Sequence, residues 1–216
     1  MIKISIRGLY AITADRLTRP ELIDKVEQVI SGGASLIQYR NKSSDQTRRT
    51  QDAADLLELC RGYQVPLIIN DDIQLAKDIR ANGVHLGKED ESIQQARAVL
   101  GKQAIIGVSC YDDLALAMKA ESMGADYVAF GSFSASPTKP GAVTAPIEIL
   151  RQAKTRLSIP VVAIGGITPH NAALLIETGA DAVAVINGLF GQADPADAAH
   201  QYARLFHGME QTRIFA

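Results

Sequence analysis

Two cations and an amide alternate in the run Gln38, Tyr39, Arg40, Asn41, Lys42, and a strand-like period of two turns Gln38, Arg40 and Lys42 toward one side. Such a set suits a phosphate-bearing ligand; a solvated loop that opens with Arg40 and Lys42 accounts for the run taken alone just as well. Carboxylates supply the complement, in Asn70-Asp71-Asp72 and in Glu89-Asp90. Carboxylates on neighbouring strand ends that face a basic cluster can hold Mg2+ through one or two oxygens while phosphates fill the rest of its shell. Asp71 and Asp90 are the expected Mg2+ ligands, whereas Asp72 also reads as the N-cap of a following helix.

Further along, SFSASPTKP (132–140) offers the hydroxyls of Ser134, Ser136 and Thr138, stiffening prolines at 137 and 140, and the charge of Lys139. Its length, small residues and basic end give it the look of a lid. IGGI (164–167) contains Gly165 and Gly166, which let backbone approach a ligand closely, and VINGLF (185–190) suggests a short helix beginning near Gly188. A phosphate between the last two loops and a short extra helix recurs in α/β barrels. Thr168 and Pro169 read as the N-cap and first position of a helix, with His170 exposed beside them, and His200 and His207 as surface or packing residues. His85 ends an apolar run, either as a packed core histidine or as a neighbour that shapes the substrate. Cys110 could be a nucleophile, but no histidine close in sequence is an obvious base, and a buried thiol explains it as simply.

All these runs follow apolar, strand-like segments. A repeated phrase makes the same point: SGGASLIQYR, ANGVHLG, SMGADYVAFG and ETGADAVAVI each place a glycine where a helix should end, then a strand buried on both faces. Strands are expected near 7–13, 34–39, 66–70, 83–86, 104–108, 126–131, 160–164 and 181–186, with Pro66 and Pro160 as first residues of two of them. Eight βα units point to an α/β fold, a (β/α)8 TIM barrel, over an open sheet, and a chain of 216 residues suits one such domain across 1–216. Chemistry at one end of many parallel strands is how this architecture builds an active site.

The formal charge of −2 argues against bulk attraction to nucleic acid or an anionic membrane. No apolar run approaches the roughly 18 residues of a membrane span, and MIKISIRGLYAIT alternates like a strand instead of showing a signal peptide's apolar region. A cytoplasmic enzyme is expected, its partners small phosphorylated molecules; homo-oligomerisation is left open. The two cysteines, Cys60 and Cys110, have neither the number nor the spacing of a disulfide framework or zinc site. Two anion sites on one barrel face would suit a reaction joining two phosphorylated substrates, with pyrophosphate leaving.

The motifs LYAIT (9–13), QYRNK (38–42), ND (70–71), GVHLGxxD (83–90), GVS (107–109), SPTK (136–139), IGGI (164–167) and VAVI (183–186) occur in order over nearly the whole chain. Together they resemble the thiamine-phosphate synthase family. The resemblance implies a barrel enzyme that couples a hydroxymethylpyrimidine diphosphate to a thiazole phosphate, giving thiamine monophosphate and pyrophosphate, with Mg2+. It implies that Gln38, Tyr39, Arg40, Asn41, Lys42, Asn70, Ser109 and Lys139 contact the pyrimidine diphosphate, with Arg40, Lys42, Ser109 and Lys139 catalytic. Asp71 and Asp90 would hold the metal, and Ser136, Pro137, Thr138, Gly166, Ile186 and Asn187 the thiazole phosphate. Lys88, Ala14 and Asn187 depart from residues common at those family positions, Gln, Asp and Ser; Asn187 keeps an amide donor. Rival readings are a thiazole tautomerase, which needs only the later phosphate donors, and a silent phosphate-ligand binder on the same fold.

Overall fold

The computed structural model describes residues 6–15, 17–87, 92–134 and 144–214, with side chains to 206. Its strands are β1 (Gly8–Ile12), β2 (Ala34–Tyr39), β3 (Leu67–Asn70), β4 (Gly83–Leu86), β5 (Ile105–Tyr111), β6 (Tyr127–Phe130), β7 (Val161–Ile164) and β8 (Ala182–Val185). The helices are α1 (Arg19–Ser31), α2 (Gln46–Gly62), α3 (Ile73–Ile79), α4 (Ile93–Leu100), α5 (Leu114–Ser122), α6 (Glu148–Arg156), α7 (Pro169–Thr178), α8 (Asn187–Phe190) and α9 (Pro195–Ile214). Every strand is parallel to both neighbours, and β8 pairs with β1, closing the barrel. This is the expected (β/α)8 architecture.

Alternation along the strands sorts their residues into two cores. One lines the barrel interior with Tyr10, Ile12, Leu36, Ile68, Tyr127 and Val162. The other, larger, lies between barrel and helices and includes Leu9, Ile37, Tyr39, Leu67 and Val84. Side chains close the first turns of the helices: Asp45, Asp72, Ser92, Asp113 and Thr168 each accept a backbone N–H at an N-cap. Thr168 also forms a capping box with Asn171, ahead of Pro169.

The repeated phrase holds with one correction. Gly33, Gly124 and Gly179 have φ of 102°, 93° and 134°, the left-handed backbone expected after a helix. In ANGVHLG the left-handed residue is instead Arg80, at φ 58°, and Gly83 already belongs to β4. Gly83 is needed for close approach, since a Cβ there would lie 1.9 Å from the Ile105 carbonyl oxygen. Asn82, Asp126 and Asp181 occupy equivalent places ahead of their strands and bind the strand before: Asn82 Oδ1 accepts from Leu67 N (2.9 Å), Asp126 Oδ2 from Ile106 N (2.9 Å), and Asp181 Oδ2 from Val161 N (2.8 Å). These bonds lock register at the N-terminal face of the barrel, away from the site-bearing end. Pro66 and Pro160 precede their strands by one residue, their carbonyls accepting from Ile37 N and Val128 N. β5 runs to Tyr111, so Ser109 and Cys110 lie within a strand, at an irregularity between Ser109 and Tyr111.

Candidate active site

At the C-terminal end of the barrel, Gln38 points inward and its Nε2–H donates to Tyr10 Oη at 2.7 Å. The chain leaves β2 after Tyr39, so Arg40 and Lys42 stand on the following loop, where cross-links hold them in place of strand pairing. Thr13, at the end of β1, clamps the Arg40 backbone: Thr13 Oγ1 accepts from Arg40 N (2.8 Å) and donates to Arg40 O (3.1 Å). The Arg40 guanidinium is paired with the carboxylate of Asp15, whose other oxygen accepts from Lys42 N at 3.2 Å. Lys42 Nζ reaches Asp71 Oδ2 at 2.6 Å. Asp71 follows β3 with φ of 64°, uncommon for a residue with a side chain, and its N–H donates to His85 O at 2.9 Å. Asn70, half-buried, is in register with His85. Ser109 Oγ is 2.9 Å from His85 Nε2. The mouth thus gathers Gln38, Arg40, Lys42, Asn70, Asp71 and Ser109.

Tyr39 is not gathered there. Strand alternation sends its side chain outward to α2, where Tyr39 Oη donates to the buried Asp52 carboxylate at 3.3 Å. Asn41 goes with it, its Nδ2 donating to Tyr39 Oη at 3.1 Å and its Oδ1 accepting from Ser43 N. These bonds hold the loop to the scaffold. Lys88, Glu89, Asp90, Ser136, Pro137, Thr138, Lys139 and Pro140 lie outside the described residues, and with them all of the expected lid beyond Ser134.

The loops after β6 and β7 are sewn together. Ser134 N donates to Gly165 O at 3.0 Å, and Asn171 Nδ2 donates to Gly166 O (3.0 Å) and Ser134 Oγ (3.3 Å). A Cβ on Gly165 would sit 2.1 Å from Ser132 Oγ, so glycine permits this approach. The short helix α8 starts at Asn187, one residue before Gly188. Ile186 packs against the barrel interior and Asn187 is exposed.

Residues 9–189 match the family model described as thiamine monophosphate synthase. The chain belongs to the thiamine monophosphate synthase family. It is 55% identical over 203 residues to the thiamine-phosphate synthase of Nitrosococcus oceani, covering 94% of each chain. Against that of Methylococcus capsulatus it is 51% identical, covering 96% of this chain and 92% of the relative. The thiamine phosphate pyrophosphorylase structure from Pyrococcus furiosus superposes with a TM-score of 0.83 at 33% identity, covering 93% of this chain and 96% of that one. As a member of this family the protein is a transferase of thiamine biosynthesis. Among its described residues no helix is long and apolar enough to cross a membrane.

Sequence reading missed several residues that hold these side chains in place. Asp15 anchors Arg40 from one position beyond Ala14, the place where the family commonly has Asp, so a carboxylate displaced by one residue was the available signal. Tyr10 and Tyr127 meet inside the barrel with hydroxyls 2.8 Å apart, and only the closed sheet brings residues 117 positions apart into contact. Tyr202 on α9 donates to Ile167 O at 3.0 Å and packs where a side chain on Gly188 would stand, steadying the last two loops. Cys110 is fully buried, and loss of solvent pushes its thiol up to about 12, so it presents no thiolate at neutral pH.

Proposed function

We propose that this family member joins a hydroxymethylpyrimidine diphosphate to a thiazole phosphate, forming thiamine monophosphate and pyrophosphate. The observation that carries the reading is the pair of braced cations at the mouth: Arg40 on Asp15 and Lys42 on Asp71, beside the inward Gln38 and Ser109. Braced cations neutralise charge without reorganising as it develops. In the proposed step the bond between the pyrimidine methylene carbon and its diphosphate oxygen breaks, and pyrophosphate leaves with the electron pair. The resulting cation is delocalised over the aminopyrimidine, and the thiazole nitrogen supplies the pair for the new carbon–nitrogen bond. No side-chain nucleophile is required. Arg40, Lys42 and Lys139 would stabilise the departing oxygens, Ser109 would donate to the diphosphate substrate, and Gln38 and Asn70 would orient it. Gly166, Ile186 and Asn187, with Ser136, Pro137 and Thr138, would receive the thiazole phosphate.

The residues suit Mg2+. Asp71 offers a hard carboxylate oxygen at a strand end, and a lysine ammonium lies against it where a cation would be drawn. In such a site substrate phosphates would complete the shell of the ion. Asp71 and Asp90 would hold the ion, whose chemistry when bound is a divalent charge against the pyrophosphate. The test is mass-spectrometric detection of thiamine monophosphate from the purified protein, both substrates and Mg2+, with an EDTA control. Product that disappears with EDTA is expected. Isomerised or merely bound thiazole phosphate, with no product, would overturn the reading in favour of a tautomerase or a silent binder.

A further inference from the structure

Side chains from β2, β1, β6, β4 and β5 form one continuous hydrogen-bonded chain across the barrel interior. Gln38 Nε2 lies 2.7 Å from Tyr10 Oη, Tyr10 Oη 2.8 Å from Tyr127 Oη, Tyr127 Oη 2.9 Å from His85 Nδ1, and His85 Nε2 2.9 Å from Ser109 Oγ. The four inner members are at most 7% exposed, while Ser109 at the mouth end is half-buried. The His85 and Tyr127 rings are stacked, with centroids 5.6 Å apart, and Tyr10 meets Tyr127 edge-on.

Counting protons gives this chain a direction. An amide nitrogen can only donate, so Tyr10 Oη accepts from Gln38; among the described residues the one remaining partner for the buried Tyr10 proton is Tyr127 Oη, 2.8 Å away, and satisfying that proton sends it to Tyr127. Tyr127, having accepted, passes its proton to His85 Nδ1, which must then carry the lone pair. The ring proton therefore sits on Nε2 and is donated to Ser109 Oγ, leaving the one hydroxyl proton of Ser109 for a partner outside the chain. Burial pushes the pKa of both phenols well above the ordinary tyrosine range, so each keeps its proton at working pH and the count holds. The opposite amide orientation would reverse every bond and spend the Ser109 proton on His85.

We propose that His85 is a positioning residue, held as the Nε2–H tautomer by the Gln38–Tyr10–Tyr127 chain, which makes Ser109 a committed donor toward the diphosphate substrate. The identity of that ligand rests on the proposed function; the tautomer does not. The first experiment is a 15N–1H correlation spectrum of the ligand-free, 15N-histidine-labelled protein. His170→Gln, His200→Gln and His207→Gln assign the other three histidines, leaving His85 by elimination. The expected result is a pyridine-like Nδ1 and a pyrrole-like Nε2. An Nδ1–H tautomer, an averaged ring or an imidazolium would overturn the proposal.

Tyr127→Phe provides the second readout, since it removes the donor to Nδ1 but keeps the ring. The variant should lose the single fixed tautomer and lower kcat about tenfold, the worth of one neutral hydrogen bond, with KM for thiazole phosphate unchanged. Added to Ser109→Ala it should slow the enzyme by less than about twofold, because both changes remove the same donation. An unchanged kcat, or fully additive losses, would overturn the link from His85 to Ser109. Wild-type protein that shows the Nε2–H tautomer yet makes no thiamine monophosphate would overturn the functional reading alone.

Discussion

Gly107→Ala should be among the most damaging single-methyl additions this protein could receive. Gly107 lies on β5 opposite Tyr127 of β6, and a Cβ there would fall 1.9 Å from Cζ and 2.3 Å from both Cε1 and Oη of the Tyr127 ring. No φ strain complicates the substitution, and glycine inside a strand ordinarily costs about 0.5–1 kcal/mol relative to alanine, so a neighbour-free site would be stabilised. Here the ring is fully buried and its hydroxyl is bonded to Tyr10 and His85, so it can yield only by breaking those bonds or displacing the strand. Overpacking typically costs about 1–3 kcal/mol, and two buried hydrogen bonds add about 1 kcal/mol each, giving about 3–5 kcal/mol. For a chain of this size that corresponds to a fall in Tm of about 6–20 °C. Denaturant and thermal unfolding followed by circular dichroism would measure it, with Tyr127→Leu as the partner background. With the ring gone, the added methyl should cost less than about 1 kcal/mol. A Gly107→Ala protein as stable as wild type would refute the placement of Tyr127 and the hydrogen-bonded chain built on it.

Arg40→Ala should lower turnover a hundredfold or more, on the scale of about 2.7–4 kcal/mol for loss of one preorganised donor to a developing oxyanion; near-wild-type rates of thiamine monophosphate formation would refute its role. Cys60 and Cys110, both buried with thiols pushed up to about 12, should resist a thiol reagent at pH 7.5 in the native protein and react in denaturant; rapid native labelling would contradict their burial. The same thiols, with the Tyr39 and Tyr202 phenols also raised to about 12, predict loss of stability in alkali. Their ordinary values are 9.0 and 10.0, so the unfolded chain gives up protons first. These groups add no pH dependence near neutrality, and stability should fall from about pH 9 toward pH 12, with a limiting slope of about 1.4 kcal/mol per pH unit for each group; denaturation midpoints unchanged through pH 11 would argue against it.

Local chemistry made much of this protein legible in its sequence. The βα repeat is written in apolar runs and helix-ending glycines, because strand burial and left-handed backbone each demand a residue type at a fixed place. Parallel strands joined by helices must also present their C-terminal ends on one face, so Gln38, Arg40, Lys42, Asn70, Asp71 and Ser109 can be named from the sequence. The same period of two separates Tyr39 and Asn41 from Gln38, Arg40 and Lys42, and Tyr39 does turn outward to α2 with Asn41 bonded to it. What only the tertiary structure decided are the relations between strands: Asp15 bracing Arg40, Gly107 making room for Tyr127, and the chain from Gln38 to Ser109. The first two depend on the pairing and stagger of neighbouring strands, and the last on closure of the sheet. Each is a contact between residues far apart in sequence, and no local propensity records which hydroxyl, across the barrel, will lie within 3 Å of which ring nitrogen.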